Sequence, residues 1–210
     1  MYIPSSFRES RIERLHDLIV KHPLGLLITH GDTGLEASPI PFLLYADEGK
    51  HGILRAHLAK ANPHWKSLAG HAECLVVFQG PDGYVTPSWY PSKAETHKVV
   101  PTWNYATVQV WGHAAVIEDP AWLRRQLDDL TADQEMLRPQ PWSVSDAPTD
   151  YIATQMKAII GIEIPINRID GKWKMSQNKD NADREGVIAG MRSDTDPHRN
   201  IRAAEVVEKI

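Results

Sequence analysis

The sequence predicts an α+β fold that is mainly β: an antiparallel barrel with peripheral helices. Short apolar runs of strand length follow one another closely, and turns rich in Gly, Asp and Pro separate them. Apolar residues at helical spacing occur at the start, in the middle and near the end of the chain. Consecutive short strands with helices at the margins are typical of a barrel decorated by helices.

Helices are predicted from their start signals and their apolar spacing. Asn62-Pro63 and Asp119-Pro120 each pair an N-cap residue with a proline at the first helical position. The first helix should end just before Pro23, because the residue before a proline disfavours helical geometry. In all, helices are predicted from a capping box at Ser6 and Glu9 to about 22, at 62–68, from 119 onward, at 150–158, around 187–191 and around 201–207.

Strands are predicted where β-branched and other apolar residues form short runs. Pro39 and Pro41 in the second strand argue for an edge or a bulge rather than regular central pairing. The predicted strands are 24–29, 35–45, 52–57, 73–79, 107–118, 159–166 and 172–176, and the predicted turns are 31–34, 80–83 and 168–171.

Composition limits the classes of protein to which the chain can belong. Its 210 residues suit one domain, 1–210, with a C-terminal helical extension at about 180–210. A net charge of −4 gives no global attraction to nucleic acid or to an anionic membrane. Cys74 is the single cysteine, and no apolar run approaches the length of a membrane span. We therefore expect a cytoplasmic protein without a membrane contact.

A Pro-(Ser/Thr)-Trp unit occurs twice, at 87–90 and again at 101–105. A proline just before each indole restricts the local backbone, so Trp89 and Trp103 should be held in fixed positions. Rigid aromatic side chains with polar neighbours such as Ser88 suit a flat ligand with polar edges. A packed corner or a subunit contact is the alternative, since Trp and Tyr are enriched there as well.

Two further clusters carry polar chemistry. Arg55, His57 and Lys60 end a strand where a helix begins, so they and free backbone N–H groups can converge on one phosphate. The late strand with Lys174 and Gln177 offers donors and acceptors that suit a phosphate or the edge of a ring. Ordinary solvated strand and surface residues remain the alternative for both clusters.

Metal and hydrolase sites are not indicated. His57, His64 and His71 recur at a spacing of seven, but a strand end, a helix start and a loop would not aim them at one point. Ser88 lies in no nucleophile elbow. The chain also has neither a P-loop nor a dinucleotide-binding fingerprint. No catalytic residue and no metal ligand is therefore predicted.

Six segments, in order along nearly the whole chain, carry a family resemblance: Met1-Tyr2-Ile3-Pro4 with Phe7, His57-x-x-Lys60-Ala61-Asn62-Pro63, Phe78-x-Gly80-Pro81, 84–90, 100–105 and 174–178. Taken together, these segments resemble the PaiB family of FMN-binding transcriptional regulators, within the FMN-binding split-barrel superfamily. Thr86 and Met175 stand where related chains often carry Ser and Leu, and both exchanges are mild.

The resemblance implies a six-stranded antiparallel split β-barrel of the Greek-key type that forms a homodimer and binds FMN. It places the flavin ring along the strand with Ser38, Pro39, Ile40 and Pro41. It also implies that the phosphate lies at the strand end and the following turn, with His57 and Lys60. It assigns Ser88 and Trp89 to the segment that closes over the flavin, and Lys174 and Gln177 to the late polar strand. Trp103 is a further candidate for cofactor binding, as a wall above the flavin ring.

Three functions remain open on this basis. A negative transcriptional regulator follows from the resemblance, although no helix-turn-helix and no basic stripe supports direct DNA binding. An FMN-dependent oxidoreductase acting on a small molecule is the second, because the flavin itself supplies the redox chemistry. A flavin store or an interaction protein is the third. Haem is the alternative planar ligand.

Overall fold

The structure is a computed structural model that describes residues 1–31, 34–68 and 73–210. Asp32 and Thr33 of the first predicted turn, and His71, lie outside the described residues. The chain forms two compact units. We call Ile19–Phe78 with Gln109–Ile169 the strand-rich unit, and Met1–Leu18 with Gln79–Val108 and Asp170–Ile210 the helix-rich unit.

The described residues form nine strands and six α-helices. The strands are β1 (Arg8–Glu9), β2 (Leu24–Gly31), β3 (Gly34–Pro41), β4 (Leu43–Tyr45), β5 (Ile53–Ala59), β6 (Glu73–Val85), β7 (Thr102–His113), β8 (Ala115–Ile117) and β9 (Ile159–Lys174). The helices are α1 (Ile12–Lys21), α2 (Ser92–Thr96), α3 (Pro120–Glu135), α4 (Thr149–Lys157), α5 (Asn181–Arg192) and α6 (Ile201–Glu208). Short 3₁₀ turns cover Ser5–Phe7, Pro63–Leu68, Pro87–Trp89 and Val144–Asp146.

Among the described residues the strands form one sheet with the order β3-β2-β6-β7-β9-β5-β4, and β1 and β8 also pair with β9. The pairings β2–β3, β2–β6, β4–β5, β5–β9 and β8–β9 are antiparallel. In the described residues this path ends at β3 and at β4, so it does not close on itself. Because β1, β4 and β8 have only two or three residues each, six longer strands remain. The predicted mainly antiparallel sheet with several helices is confirmed.

Alternation of side chains along the strands builds the core of the strand-rich unit. Leu54, Ala56 and Leu58 of β5 are buried, while the residues between them are half-buried. Because successive side chains of a strand point to opposite faces, Arg55 and His57 lie on the other face of β5. Ile160, Ile162 and Ile164 of β9 pair opposite this core face of β5. Phe42 and Phe78 meet edge to face, 5.9 Å between ring centroids.

Helices α5 and α6 contact each other in the helix-rich unit. Val187, Met191 and Val207 are fully buried, in accordance with the predicted helical spacing. The amide of Asn200 donates to the carbonyl of Met191 at 2.8 Å and fixes the connection between the two helices. That these helices are an extension of a single domain stays a prediction. Among the described residues, none of the helices has the length and apolar content needed to span a membrane.

Two predicted turns are wrong, because the strands continue through them. The 80–83 segment lies inside β6, and the 168–171 segment lies inside β9. A Cβ atom on Gly80 would lie 2.9 Å from Leu18 Cδ1, and one on Gly171 would lie 2.2 Å from Leu15 Cδ2. These glycines therefore permit close packing in a strand rather than a reversal of the chain.

Candidate functional site

The outer edge of β3 is the first part of the candidate site. The amide of Phe42 donates to the carbonyl of Pro23 at 2.8 Å, which fixes the alternation of hydrogen-bonded pairs along β2 and β3. Pro39 and Pro41 consequently occupy positions that point away from β2, where their missing N–H groups cost no ladder hydrogen bond. In the described residues no other strand pairs with β3. Its outer edge therefore presents the carbonyls of Pro39 and Pro41, which have no amide beside them on the same residue, together with the N–H and C=O of Ala37.

His64 holds β3 on the face where Ser38 and Ile40 lie, and its side chain is fully buried. Nδ1 of His64 lies 2.8 Å from Oγ of Ser38, and Nε2 lies 2.8 Å from Oγ1 of Thr29. Burial lowers the pKa of His64, so the ring is neutral and offers one donor and one acceptor to the two hydroxyls. Ile40 is buried beside this contact. Ser38 is thus a residue that fixes the strand.

Arg55 is neutralised by carboxylates. Its Nε lies 2.6 Å from Oε2 of Glu163, and its Nη2 lies 2.7 Å from Oε2 of Glu48. The guanidinium also stacks on Tyr45, 4.0 Å from the ring centroid. With a side chain only 19% exposed, Arg55 has little free charge for a ligand. Its predicted phosphate contact stays a prediction.

His57 and Lys60 differ from Arg55 in what they leave free. Nδ1 of His57 lies 2.8 Å from Oε1 of the buried Gln126, so Nε2 has no partner among the described residues. Lys60 Nζ is 3.2 Å from Glu118, but both side chains are exposed, 39% and 67%, and such pairs are weak. The 3₁₀ turn Pro63–Leu68 follows directly, with Asn62 Oδ1 accepting from the amide of His64 as an N-cap should. β3 lies beside β5, so the structure brings Ser38–Pro41 and the β5 side chains onto neighbouring strands.

Trp89 is a packed residue of the helix-rich unit. Its Nε1 donates to Asp196 at 3.0 Å, and a Cβ on Gly190 of α5 would lie 2.3 Å from the indole. Ser88 beside it is exposed, and its amide donates to Oγ1 of Thr86. The two Pro-Trp units therefore differ, because Trp89 is fixed against α5, while Trp103 lies in β7 with its side chain 54% exposed.

The late polar strand is built around Lys174. Its ammonium donates to the carbonyl of Trp103 at 2.5 Å and to the hydroxyl of Thr102. The structure thus joins Lys174 to the backbone of Trp103, while the flavin contact assigned to Lys174 stays a prediction. Gln177 turns back on its own segment, since its Oε1 accepts from the amide of Met175 and its Nε2 donates to the carbonyl of Trp173. Both ends of this amide are in use, so a flavin contact by Gln177 stays a prediction.

Sequence reasoning missed His64, Gln126 and Tyr90. The motif 57–63 ends just before His64, and the spacing of the histidines bears only on a metal site. Among the described residues, no group of three or more His, Cys, Asp and Glu side chains is placed to hold a metal ion. The burial of His64 and Gln126 depends on contacts distant in sequence, for which no local pattern gives a signal.

Comparison with known proteins decides the family. A family model described as "Putative FMN-binding domain" matches residues 1–168. The chain belongs to this family. The range matched by this FMN-binding domain family includes β3, β5 and both Pro-Trp units, while Lys174 and Gln177 lie beyond it.

Two relatives extend the comparison over more of the chain. The Bacillus subtilis "Protease synthase and sporulation protein PAI 2" is 28% identical over 210 residues, with 100% of this chain and 98% of that protein covered. An uncharacterized protein of Emericella nidulans is 40% identical over 225 residues, and 90% of each chain is covered. The resemblance of this FMN-binding domain protein to the PaiB family is confirmed.

Solved structures of similar fold include two flavoproteins. The FAD and heme binding protein from Mycobacterium smegmatis superposes with a TM-score of 0.60 at 22% identity, over 87% of this chain and 80% of that one. The flavocytochrome Anf3 from Azotobacter vinelandii gives a TM-score of 0.57 at 16% identity, over 80% and 69% of the two chains. At these identities the comparison concerns the fold alone, and it confirms the predicted split-barrel class.

Proposed function

We propose that the chain binds FMN on the strand-rich unit and acts as a PaiB-type regulator. The observation that carries the proposal is the outer edge of β3, where Pro39 and Pro41 leave carbonyl acceptors beside the amide of Ala37. A flavin ring has both an N–H donor and carbonyl acceptors on one polar edge, so the donor and acceptor set of this strand fits the group. When bound, FMN supplies a planar redox centre.

The surface around that edge also suits a flat ring. Leu24 and Leu26 of β2 are exposed and pair with Pro41 and Pro39 of β3, so these four side chains share one apolar face. Exposed apolar faces of this kind mark binding sites for ligands or partners. We assign the same face to the second subunit of a homodimer, consistent with a flavin placed near the subunit interface.

We assign the binding of the FMN phosphate group to Lys60. It is exposed and its contact with Glu118 is weak, so a dianionic phosphate can displace that carboxylate. We assign Nε2 of His57 to the same phosphate, because Nδ1 is already occupied by Gln126. Arg55 in this proposal positions β5 against β9 through Glu163. Ser88, Trp89, Lys174 and Gln177 remain assigned to flavin contacts by the resemblance, and Trp103 remains a candidate wall above the flavin ring.

Titration with FMN tests the cofactor. Flavin fluorescence should be quenched with a stoichiometry of one FMN per chain, while a protein that leaves the fluorescence unchanged would refute the proposal. The titration should be run on purified protein whose initial flavin content is known from its absorbance.

We assign the regulatory role to an indirect effect on transcription. A net charge of −4 is unfavourable for binding the phosphate backbone of DNA. We therefore propose that a protein partner in the cytoplasm makes the contact with DNA. A gel-shift titration with promoter DNA over a series of salt concentrations checks this. No salt-sensitive binding is expected, and tight salt-sensitive binding would show that the chain contacts DNA directly.

An FMN-dependent oxidoreductase is the second candidate. The observation in its favour is the exposed indole of Trp103, whose backbone carbonyl accepts from the ammonium of Lys174, because an exposed aromatic ring offers a stacking surface to a small substrate. Steady consumption of NAD(P)H with bleaching of the bound flavin would support this function. Bound flavin that stays oxidised in the presence of NAD(P)H would count against it.

A further inference from the structure

A second candidate binding site lies within the helix-rich unit. A cavity of about 190 Å³ is lined by Tyr90, Thr102, Asn104, Lys174 and Lys179, among others. It is large enough for several waters or for one small anion. The lining includes several hydrogen-bond donors, and two of them are ammonium groups.

The two lysines bring positive charge that the described residues do not balance. Lys174 donates to a hydroxyl and to a carbonyl, both uncharged, and Lys179 Nζ lies 4.6 Å from the centroid of the Tyr90 ring. Neither ammonium forms an ion pair with a described carboxylate. Burial, and secondly the charge of Lys172, lower the pKa of Lys174, so an anion beside it would relieve an electrostatic strain.

Tyr90 supplies an unused donor. The side chain is 3% exposed, and its hydroxyl has no hydrogen-bond partner among the described residues. A buried hydroxyl without a partner is costly, and most buried polar groups are paired. Asp183, the buried acid whose charge acts on Tyr90, already accepts hydrogen bonds from the amide and the hydroxyl of Ser92. Tyr90 thus lines the cavity with a hydroxyl that has no partner among the described residues.

A strained turn holds the two lysines at this cavity. Ser176 has φ +61°, a left-handed conformation that is uncommon for a residue other than glycine. Its hydroxyl is fixed by the buried amide of Asn104 at 2.9 Å, and its carbonyl accepts from the amide of Lys179. Strain of this kind persists where the surrounding structure imposes it, often at ligand sites.

We propose that this cavity binds the phosphate or carboxylate group of a small molecule other than the flavin. Lys174 and Lys179 neutralise the anion, and the hydroxyl of Tyr90 donates to one of its oxygens. Because the resemblance assigns Lys174 to the flavin, the phosphate of FMN itself is the competing occupant, and the experiment has to separate the two.

Calorimetric titration with inorganic phosphate at constant ionic strength tests the proposal on the whole chain, before and after saturation with FMN. Saturable binding of one phosphate per chain is expected in both conditions. Tyr90→Phe should weaken this binding about tenfold, since hydrogen bonds to charged groups contribute that much. The same variant should not lower the melting temperature, because it removes a buried donor that has no partner. A tyrosine with a purely structural role would not show this combination.

Two lysine variants complete the design. Lys179→Gln should weaken phosphate binding about tenfold or more. Lys209→Gln removes one exposed positive charge from the same unit and should leave the binding unchanged. Phosphate binding that vanishes once FMN is bound would assign the cavity to the cofactor. Absence of binding without FMN, or equal loss in both lysine variants, would overturn the site. Since flavin uptake is measured separately, failure of FMN binding would not be confused with either result.

Discussion

Ser38 and His64 are joined by a contact of 2.8 Å that fixes the edge strand of the candidate flavin site. The ring of His64 also meets Thr29 of β2, so one buried side chain ties both strands to the 3₁₀ turn Pro63–Leu68. β3 therefore presents its outer edge from a fixed backbone, and a ligand that binds there need not order the strand first.

The stability of the protein should depend on pH through His64. Burial lowers its pKa below the usual 6.5, so the unfolded chain takes up a proton before the folded one does. The contribution of the neutral ring is complete above about pH 6.5 and is lost as the pH falls through the folded pKa. The slope of this loss is at most about 1.4 kcal/mol per pH unit. Urea unfolding between pH 7.5 and 5 measures it.

His64→Gln should remove this component of the pH dependence, while His30→Gln, an exposed histidine of the same unit, should keep it. If the wild type and His64→Gln lose stability in parallel as the pH falls, His64 is not the group that takes up the proton.

Lys60→Glu should weaken FMN binding by about ten- to a hundredfold, because a carboxylate replaces the cation assigned to the phosphate. Fluorescence titration gives the two dissociation constants. Lys50→Glu, which makes the same charge change in the turn before β5, should bind FMN like the wild type. An unchanged affinity in Lys60→Glu would place the phosphate elsewhere.

The two tryptophans of the doubled motif should respond differently to removal. Trp89→Ala should cost about 3 kcal/mol of unfolding free energy, because the indole packs against Gly190 and donates to Asp196. Trp103→Ala should leave the stability nearly unchanged, since that side chain is half exposed, and should lower flavin affinity. Thermal unfolding and FMN titration of both variants separate the roles. Equal loss of stability in both would contradict this assignment.

Leu26→Glu should convert the proposed homodimer into a monomer, because it places a charge in the exposed apolar face of β2 and β3. Light scattering after size exclusion measures the mass. Leu137→Glu changes an exposed leucine after α3 and should leave the dimer intact. A wild-type protein that is already monomeric at high concentration would refute the dimer.

Local signals in the sequence were sufficient for most helices and most strands. They did not predict α2, they began the first helix at Ser6 rather than at Ile12, and the predicted helix 62–68 is a 3₁₀ turn. Asp119 caps α3 by accepting from the amides of Ala121 and Trp122, and α1 ends at Lys21 before Pro23, as predicted. The two wrong turns show where local reading fails. Gly80 and Gly171 have the composition of a turn, but contacts with Leu18 and Leu15, distant in sequence, explain why glycine is needed there.

The sequence predicted which residue types the candidate site contains better than it predicted the contacts that these residues form. The prolines at 39 and 41 correctly indicated an edge strand, because a missing N–H has a direct consequence for pairing. The engagement of Arg55 by Glu48 and Glu163 was not predictable, since Glu163 lies 108 positions away on another strand. A positively charged side chain at a strand end indicates a phosphate site only when no carboxylate of the protein forms an ion pair with it.

Comparison of FMN with riboflavin in equilibrium dialysis tests the central claim most directly. The β3 edge and Lys60 together predict one FMN per chain, and affinity for riboflavin at least about tenfold lower, because riboflavin lacks the phosphate. Equal affinity for both flavins would contradict the assigned phosphate site, and absence of binding for either would contradict the flavin site as a whole.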